Sequence, residues 1–182
     1  EAAYLREQGV NLILTDHHEP GPQLPPAAAL LNPKVTATYP YPQLAGVGVA
    51  FKLLQGLAVK RPELERLLWE NIDLVAFGTI ADVVPLLGEN RVLVKEGLKQ
   101  MAKTANTGLR ALLNQTGLAG KQIGADQVGY ILAPRVNAAG RLGDPTVALR
   151  LFLEENPVRA GKLAALLETM NQKRQRIEER VQ

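Results

Sequence analysis

The stretch Asn11-Leu12-Ile13-Leu14-Thr15-Asp16-His17-His18-Glu19-Pro20 decides the fold of this chain. A short apolar run ends in one carboxylate and two imidazoles, and both histidines of the chain lie here. Leu12, Ile13 and Leu14 predict a buried strand of a parallel sheet covered on both faces. In open α/β sheets, ligands collect beyond the carboxyl ends of the strands, which is where Asp16, His17 and His18 fall. Imidazole nitrogen and carboxylate oxygen both bind divalent transition metals, so the strand end is expected to form part of a metal site. Neighbouring strand residues point to opposite faces. Both histidines therefore share one site only where the strand has given way to a loop. One imidazole then binds metal, the other donates to a phosphate oxygen, and Asp16 orients the ligating ring from behind. The competing reading is a pair of surface histidines at a turn, with Asp16 as a loop cap.

Composition narrows the classes. At 182 residues and 46% apolar content, a packed interior is expected rather than disorder. There are no cysteines, which removes disulfides, zinc–thiolate sites and cysteine nucleophiles and fits a reducing compartment. No apolar run approaches the roughly 18–20 residues that span a membrane, and no signal-peptide pattern opens the chain. A net charge of +3 is compatible with a polyanionic partner without requiring one. The chain starts at Glu1 inside a helical pattern and stops at Gln182 in another, without a capping glycine. It is expected to be a piece of a longer protein.

Outward from the first strand, residues 1–8 read as a helix stopped at Gly9. Ala28 to Leu31 reads as a second strand, and Glu19–Pro26 and Thr36–Pro42 as proline-rich loops. A helix is expected from about Ala45 to Lys60, with Gly46 and Gly48 allowing close backbone approach. One helix is expected from Pro62 to Ala81, and another from Asn90, as its cap, to Lys103. A short helix over 107–116 stops at Gly117, and one over 126–133 must end or kink at Pro134. That leaves 135–141 as an irregular basic segment, before a helix over 145–153. Asn156-Pro157 is a helix start, from which Leu163, Leu167, Met170, Ile177 and Val181 form a narrow apolar stripe, as on a helix that bridges domains. The fold class is α/β, mostly helical here, with two strands that belong to a larger sheet.

Two further constellations carry chemistry. Asp82 sits among aliphatic residues in Ile80-Ala81-Asp82-Val83-Val84. A buried carboxylate is costly unless paired or bound to a metal, so Asp82 is either a second metal ligand or a helix cap. The segment Pro134-Arg135-Val136-Asn137-Ala138-Ala139-Gly140-Arg141 offers two guanidinium groups, an amide and small residues. It is either a phosphate clamp or a helix connector with solvated arginines.

Thr15-Asp16-His17-His18, Leu44-Ala45-Gly46-Val47-Gly48-Val49-Ala50, Gly78-Thr79-Ile80-Ala81-Asp82-Val83-Val84-Pro85-Leu86 and Ala133-Pro134-Arg135-Val136-Asn137-Ala138-Ala139-Gly140-Arg141-Leu142 together resemble the bacterial RecJ exonucleases, of the DHH phosphoesterase superfamily. Asp-His-His marks the superfamily, and the Arg-Val-Asn-Ala-Ala-Gly-Arg stretch narrows it to RecJ. The resemblance implies a partial DHH domain over residues 1–155 and a long interdomain connector helix over 156–182. It implies 5′→3′ degradation of single-stranded DNA in recombination and repair, with Mn2+ or Mg2+ in a two-metal site, in the bacterial cytoplasm and with repair proteins as possible partners. His17 and Asp82 would be metal ligands, His18 would face the scissile phosphate, and Asp16 would support the histidines. Arg135, Asn137 and Arg141 would lie near the phosphate or DNA backbone. The family's upstream aspartate motifs and downstream domains are absent from these residues, so the metal site should be incomplete and the piece alone inactive. The alternatives are another DHH phosphoesterase, acting on oligoribonucleotides or cyclic dinucleotides, and a non-catalytic nucleic-acid-binding protein on the same fold.

Overall fold

A computed structural model of the chain describes residues 1–35 and 38–181. Thr36, where the loop expected up to Pro42 begins, lies outside the described residues, as does the side chain of Val181. The elements run in the order α1 (Ala2–Glu7), β1 (Ile13–Thr15), β2 (Ala29–Leu31), α2 (Gly46–Ala58), α3 (Glu65–Glu70), α4 (Ile72–Ala81), α5 (Gly88–Met101), α6 (Thr107–Gln115), α7 (Ala125–Gln127), α8 (Ala133–Arg141), α9 (Thr146–Leu153) and α10 (Pro157–Val181). The class is α/β, with helices dominating and β1 and β2 paired in parallel, Ile13 opposite Ala29 and Thr15 opposite Leu31. The burial expected of the first strand is not met within these residues, because Ile13 is 61% exposed. Among the described residues the sheet has two strands.

The core is organised on α4. Ile72 and Val75 pack with α2, α3 and Leu93 of α5 in one apolar cluster. Ala76, Phe77 and Ile80 belong to a second cluster, built with α6, α8, α9 and α10. A helix apolar all round must be buried all round, and Asp82 emerges at the end of this one. Glycine sets its crossings. A Cβ on Gly97 of α5 would lie 2.3 Å from the Ile72 carbonyl oxygen, and one on Gly78 would lie 2.9 Å from Cγ1 of Val47 on α2.

Several expected elements change. The helix expected over 62–81 is broken at Asn71, whose Nδ2 donates to the Leu67 carbonyl at 2.9 Å. An asparagine amide that satisfies a helix's last carbonyls ends the helix locally. Asn90 does not cap α5, which starts at Gly88. It is fully buried, and its amide donates to the Gln43 and Pro85 carbonyls, tying two loops together. Beside it, Glu89 accepts from Tyr39 and Lys52. Burial alone would raise the Glu89 carboxyl, but these two donors hold it below its ordinary value.

The helix does not stop at Pro134, and 135–141 is helical rather than irregular. Residues 128–132 form a π turn in which the Ala133 N–H reaches the Val128 carbonyl, five residues back. An ordinary α-turn would drive the proline ring into the carbonyl four residues earlier. The widened turn takes up the ring, and α8 continues through Arg141. In α10, Asn156 does cap, its Oδ1 accepting from the N–H groups of Val158 and Arg159. The buried stripe is Ala160, Ala164, Leu167 and Asn171, flanked by the expected Leu163 and Met170, which are partly buried and pack against the core, so the first half of this helix is docked there. No helix among the described residues is long and apolar enough to cross a membrane.

Candidate metal centre

β1 ends at Thr15, and the chain leaves the sheet with Asp16. One oxygen of Asp16, Oδ1, accepts the backbone N–H of His17 at 2.7 Å and of His18 at 3.2 Å. The same oxygen accepts Nδ1 of His18 at 2.7 Å. The acceptor is a carboxylate, so the shared proton is on Nδ1. The His18 hydrogen bond, with the two backbone donors, lowers the Asp16 carboxyl from its ordinary value against the opposing effect of burial. Asn32, just past β2, donates its amide to the His18 carbonyl at 2.9 Å. The loop is thus pinned by both strands.

The two rings diverge in environment. His18 is 77% exposed, while His17 turns inward and is 17% exposed. Nδ1 of His17 lies 3.4 Å from Oδ2 of Asp82. Spacing along the chain says nothing of this meeting; packing produces it. The first residue of α2, Gly46, lies against the His17 ring, where a Cβ would sit 3.2 Å from Cδ2. The next residue, Val47, fits against Gly78 on α4, and α4 delivers Asp82 one turn later. α2 is therefore the spacer that fixes the gap. Directly after Asp82, Val83 adopts φ 60°, a strained region for a β-branched residue, with its side chain in solvent.

The pair fits a cation. A 3.4 Å separation is too long for a good N–H···O hydrogen bond. Two donors each about 2.1 Å from one ion lie about 3.0–3.4 Å apart at octahedral to tetrahedral angles. Among the described residues no group of three His, Asp or Glu side chains converges, so this pair alone could supply no more than one edge of a coordination shell. Asp16 supports His18 through its ring and His17 through the backbone alone, so the ring-orienting role expected for it applies to His18.

The basic segment divides. Asn137 and Arg141 line a cavity of about 410 Å3 that also touches Ile80, Ala81 and Val83, the chain neighbours of Asp82. Arg135 does not line it. Its Nε donates to Glu168 of α10 and its Nη1 to the Ile131 carbonyl, both at 2.5 Å. Placing Arg135 at a phosphate is therefore corrected: its guanidinium is committed to a carboxylate and to a carbonyl of the π turn. Sequence reading also missed Arg174, which lines the cavity. It falls on the buried stripe of α10, seven residues after Leu167, and that spacing was the available signal.

The chain is similar to known proteins along nearly its whole length. The N-terminal domain of the DHH family matches residues 1–79. The single-stranded-DNA-specific exonuclease RecJ of Bacillus subtilis is 42% identical over 178 residues, 97% of this chain and 22% of the relative. That of Thermus thermophilus is 44% identical over 186 residues, 98% of this chain and 26% of the relative. A crystal structure of RecJ from Thermus thermophilus in complex with Mn2+ superposes with TM-score 0.83 at 43% identity, over 98% of this chain and 27% of that one. A second, with Mg2+, gives 0.78. The chain spans between 22% and 33% of the length of the RecJ relatives it matches. Over residues 1–79 it is thus similar to the N-terminal domain of the DHH family and, across nearly its whole length, similar in sequence and fold to one part of the RecJ exonucleases.

Proposed function

We propose that the chain supplies part of the active site of a bacterial metal-dependent exonuclease that degrades single-stranded DNA from the 5′ end in recombination and repair. The observation that carries this reading is the approach of His17 Nδ1 to Asp82 Oδ2 at 3.4 Å. Relatives described as single-stranded-DNA-specific exonucleases support the substrate, and neighbours in complex with Mn2+ or Mg2+ support either ion as cofactor. Residues 1–155 form the partial DHH domain in this reading, and 156–182 lead from it as a connector helix.

His17 and Asp82 would hold a divalent cation from adjoining positions. When bound, a pair of such ions activates water and neutralises phosphate charge for an in-line displacement. His18, held at Nδ1 by Asp16, keeps Nε2 free to meet the scissile phosphate, and in its protonated form donates to an oxygen that gains charge. Asn137 and Arg141, beside the segment that carries Asp82, bind the DNA backbone. Arg135 holds α8 to α10 and has no part in this step.

The test is cleavage of single-stranded DNA by the intact protein and its H17A and D82A variants. Loss of groups that merely orient ligands costs about 10–100-fold. Each variant should therefore lose more than about 100-fold in rate and in Mn2+ affinity by calorimetry, while DNA binding stays within a few-fold. A variant that cleaves near the wild-type rate overturns its ligand role. Faster turnover of cyclic dinucleotide or short RNA than of long single-stranded DNA would reassign the substrate. The 182-residue chain by itself should not cleave, because its two converging ligands leave the shell open.

A further inference from the structure

Two loops reach the candidate cation pair from outside it. One runs through Gln43 into α2, whose first residue, Gly46, lies against the His17 ring. The other leaves Asp82 at the end of α4 and passes through Val83 and Val84 to Pro85. Val83 does not hold this second loop by itself. Its backbone is at φ 60° and its side chain is 87% exposed. Strain of this kind persists only where the surroundings over-determine the backbone. An anchor follows at the carbonyl oxygen of Pro85, which accepts from Asn90 Nδ2 at 3.0 Å and from the Tyr41 hydroxyl at 3.2 Å. Asn90 Nδ2 also donates to the Gln43 carbonyl at 2.7 Å. One amide group thus joins the loop ahead of Gly46 to the loop behind Asp82.

The tie is firm at its root. Asn90 is fully buried in the first turn of α5, and α5 is seated on α4 through Gly97. A Cβ on Gly88 would sit 2.6 Å from Cε2 of Tyr41, so that ring rests directly on the backbone ahead of Asn90. Glu89 accepts from Tyr39 at 2.6 Å and from Lys52 of α2 at 2.8 Å, a second link across the same gap. The chemistry of Asn90 also points to placement rather than packing. Its Oδ1 is buried and has no hydrogen-bond partner among the described residues, an arrangement that weakens a fold. A leucine of similar size would avoid that loss. What leucine lacks is an amide whose two N–H groups can span two carbonyls.

We infer that Asn90 is a positioning residue for the cation: by tying the loop ahead of α2 to the loop behind Asp82, it holds His17 Nδ1 and Asp82 Oδ2 at the separation that one ion bridges. The inference rests on the proposed metal-dependent reading and adds to it a residue that acts only through the two ligands.

The experiment is calorimetric titration of the intact protein with Mn2+, in the absence of DNA and well below the melting temperature of every variant. N90L keeps the volume and removes both donors. Y41F removes the second donor to Pro85 and keeps the ring. L118A is the comparison, because Leu118 belongs to the apolar cluster of α6, α8, α9 and α10 and not to the one that holds Leu44, Tyr39 and Tyr41. Loss of a group that orients metal ligands costs about 10–100-fold in affinity, and loss of one hydrogen bond about 2–12-fold. N90L should fall in the first range and Y41F in the second, while L118A melts at a lower temperature and binds Mn2+ as wild type does. Wild-type affinity in N90L, or in Y41F should N90L fail to fold, would overturn the positioning role. A loss in L118A as large as in N90L would do the same, since affinity would then follow stability alone. So long as wild type binds Mn2+ and H17A and D82A do not, either result removes this inference alone; a wild-type protein that binds no Mn2+ removes the metal-dependent reading with it.

Discussion

At Asp16 a single carboxylate oxygen accepts three hydrogen bonds, two from the backbone and one from His18. This arrangement makes the residue a positioning group for an exposed imidazole rather than a ligand. D16N retains the size of the side chain and an accepting oxygen but removes the negative charge that strengthens the hold on His18 Nδ1–H. The intact D16N protein should lose about 10–100-fold in kcat on single-stranded DNA, with Mn2+ affinity close to wild type. A matching fall in Mn2+ affinity, measured by calorimetry, would instead place Asp16 in the coordination shell. His17 differs from its neighbour through burial: it is turned inward against Gly46 and toward Asp82. These two roles could not be divided between adjacent histidines from their order in the chain, because the loop that separates their directions is made by the Asp16 contacts and the Asn32 tether.

Among the elements, α2 carries the heaviest geometric duty. Its first residue touches His17, its second packs on Gly78, and Gly78 lies one turn before Asp82. G78A would bring a methyl to 2.9 Å from Val47, closer than real contacts allow, so α2 and α4 must separate. The expected outcome is about a tenfold loss of Mn2+ affinity together with about 1–3 kcal/mol of stability. Pairing it with V47A, which removes the opposing methyls, should restore most of the affinity. Calorimetry and thermal melting of the two single variants and the double variant check this, and failure of V47A to rescue would show that the spacing is set elsewhere. The π turn before Pro134 works in the same way, since it lets α8 run on and gives Arg135 a carbonyl to satisfy. The helices over 46–58, 107–115 and 146–153 were legible from the run of apolar residues along them, with a side-chain cap only at Asn106. The break at Asn71 and the passage through Pro134 were not. Each depends on where one side chain or ring finds room, and periodicity carries no such information.

Over the whole molecule, two apolar clusters meet on α4, and the candidate centre lies where that helix ends beside the strand loop. The fold class was readable from motif and pattern, whereas the approach of His17 to Asp82 was implied only by the family resemblance, because helix packing and not spacing produces it. The expected stripe of α10 was right at Leu167, Leu163 and Met170 and missed Ala160 and Ala164, which give a weak apolar signal yet are fully buried; Ile177 is exposed. Arg135 was misassigned because composition does not show that Glu168, far along the chain, already holds it. The central claim is that His17 and Asp82 share one cation, and anomalous diffraction at the manganese edge from crystals of the intact protein grown with Mn2+ tests it most directly. The account predicts a peak bonded to both His17 Nδ1 and Asp82 Oδ2, about 2.1 Å from each. A peak bonded to neither side chain, or no peak there at saturating Mn2+, would contradict it.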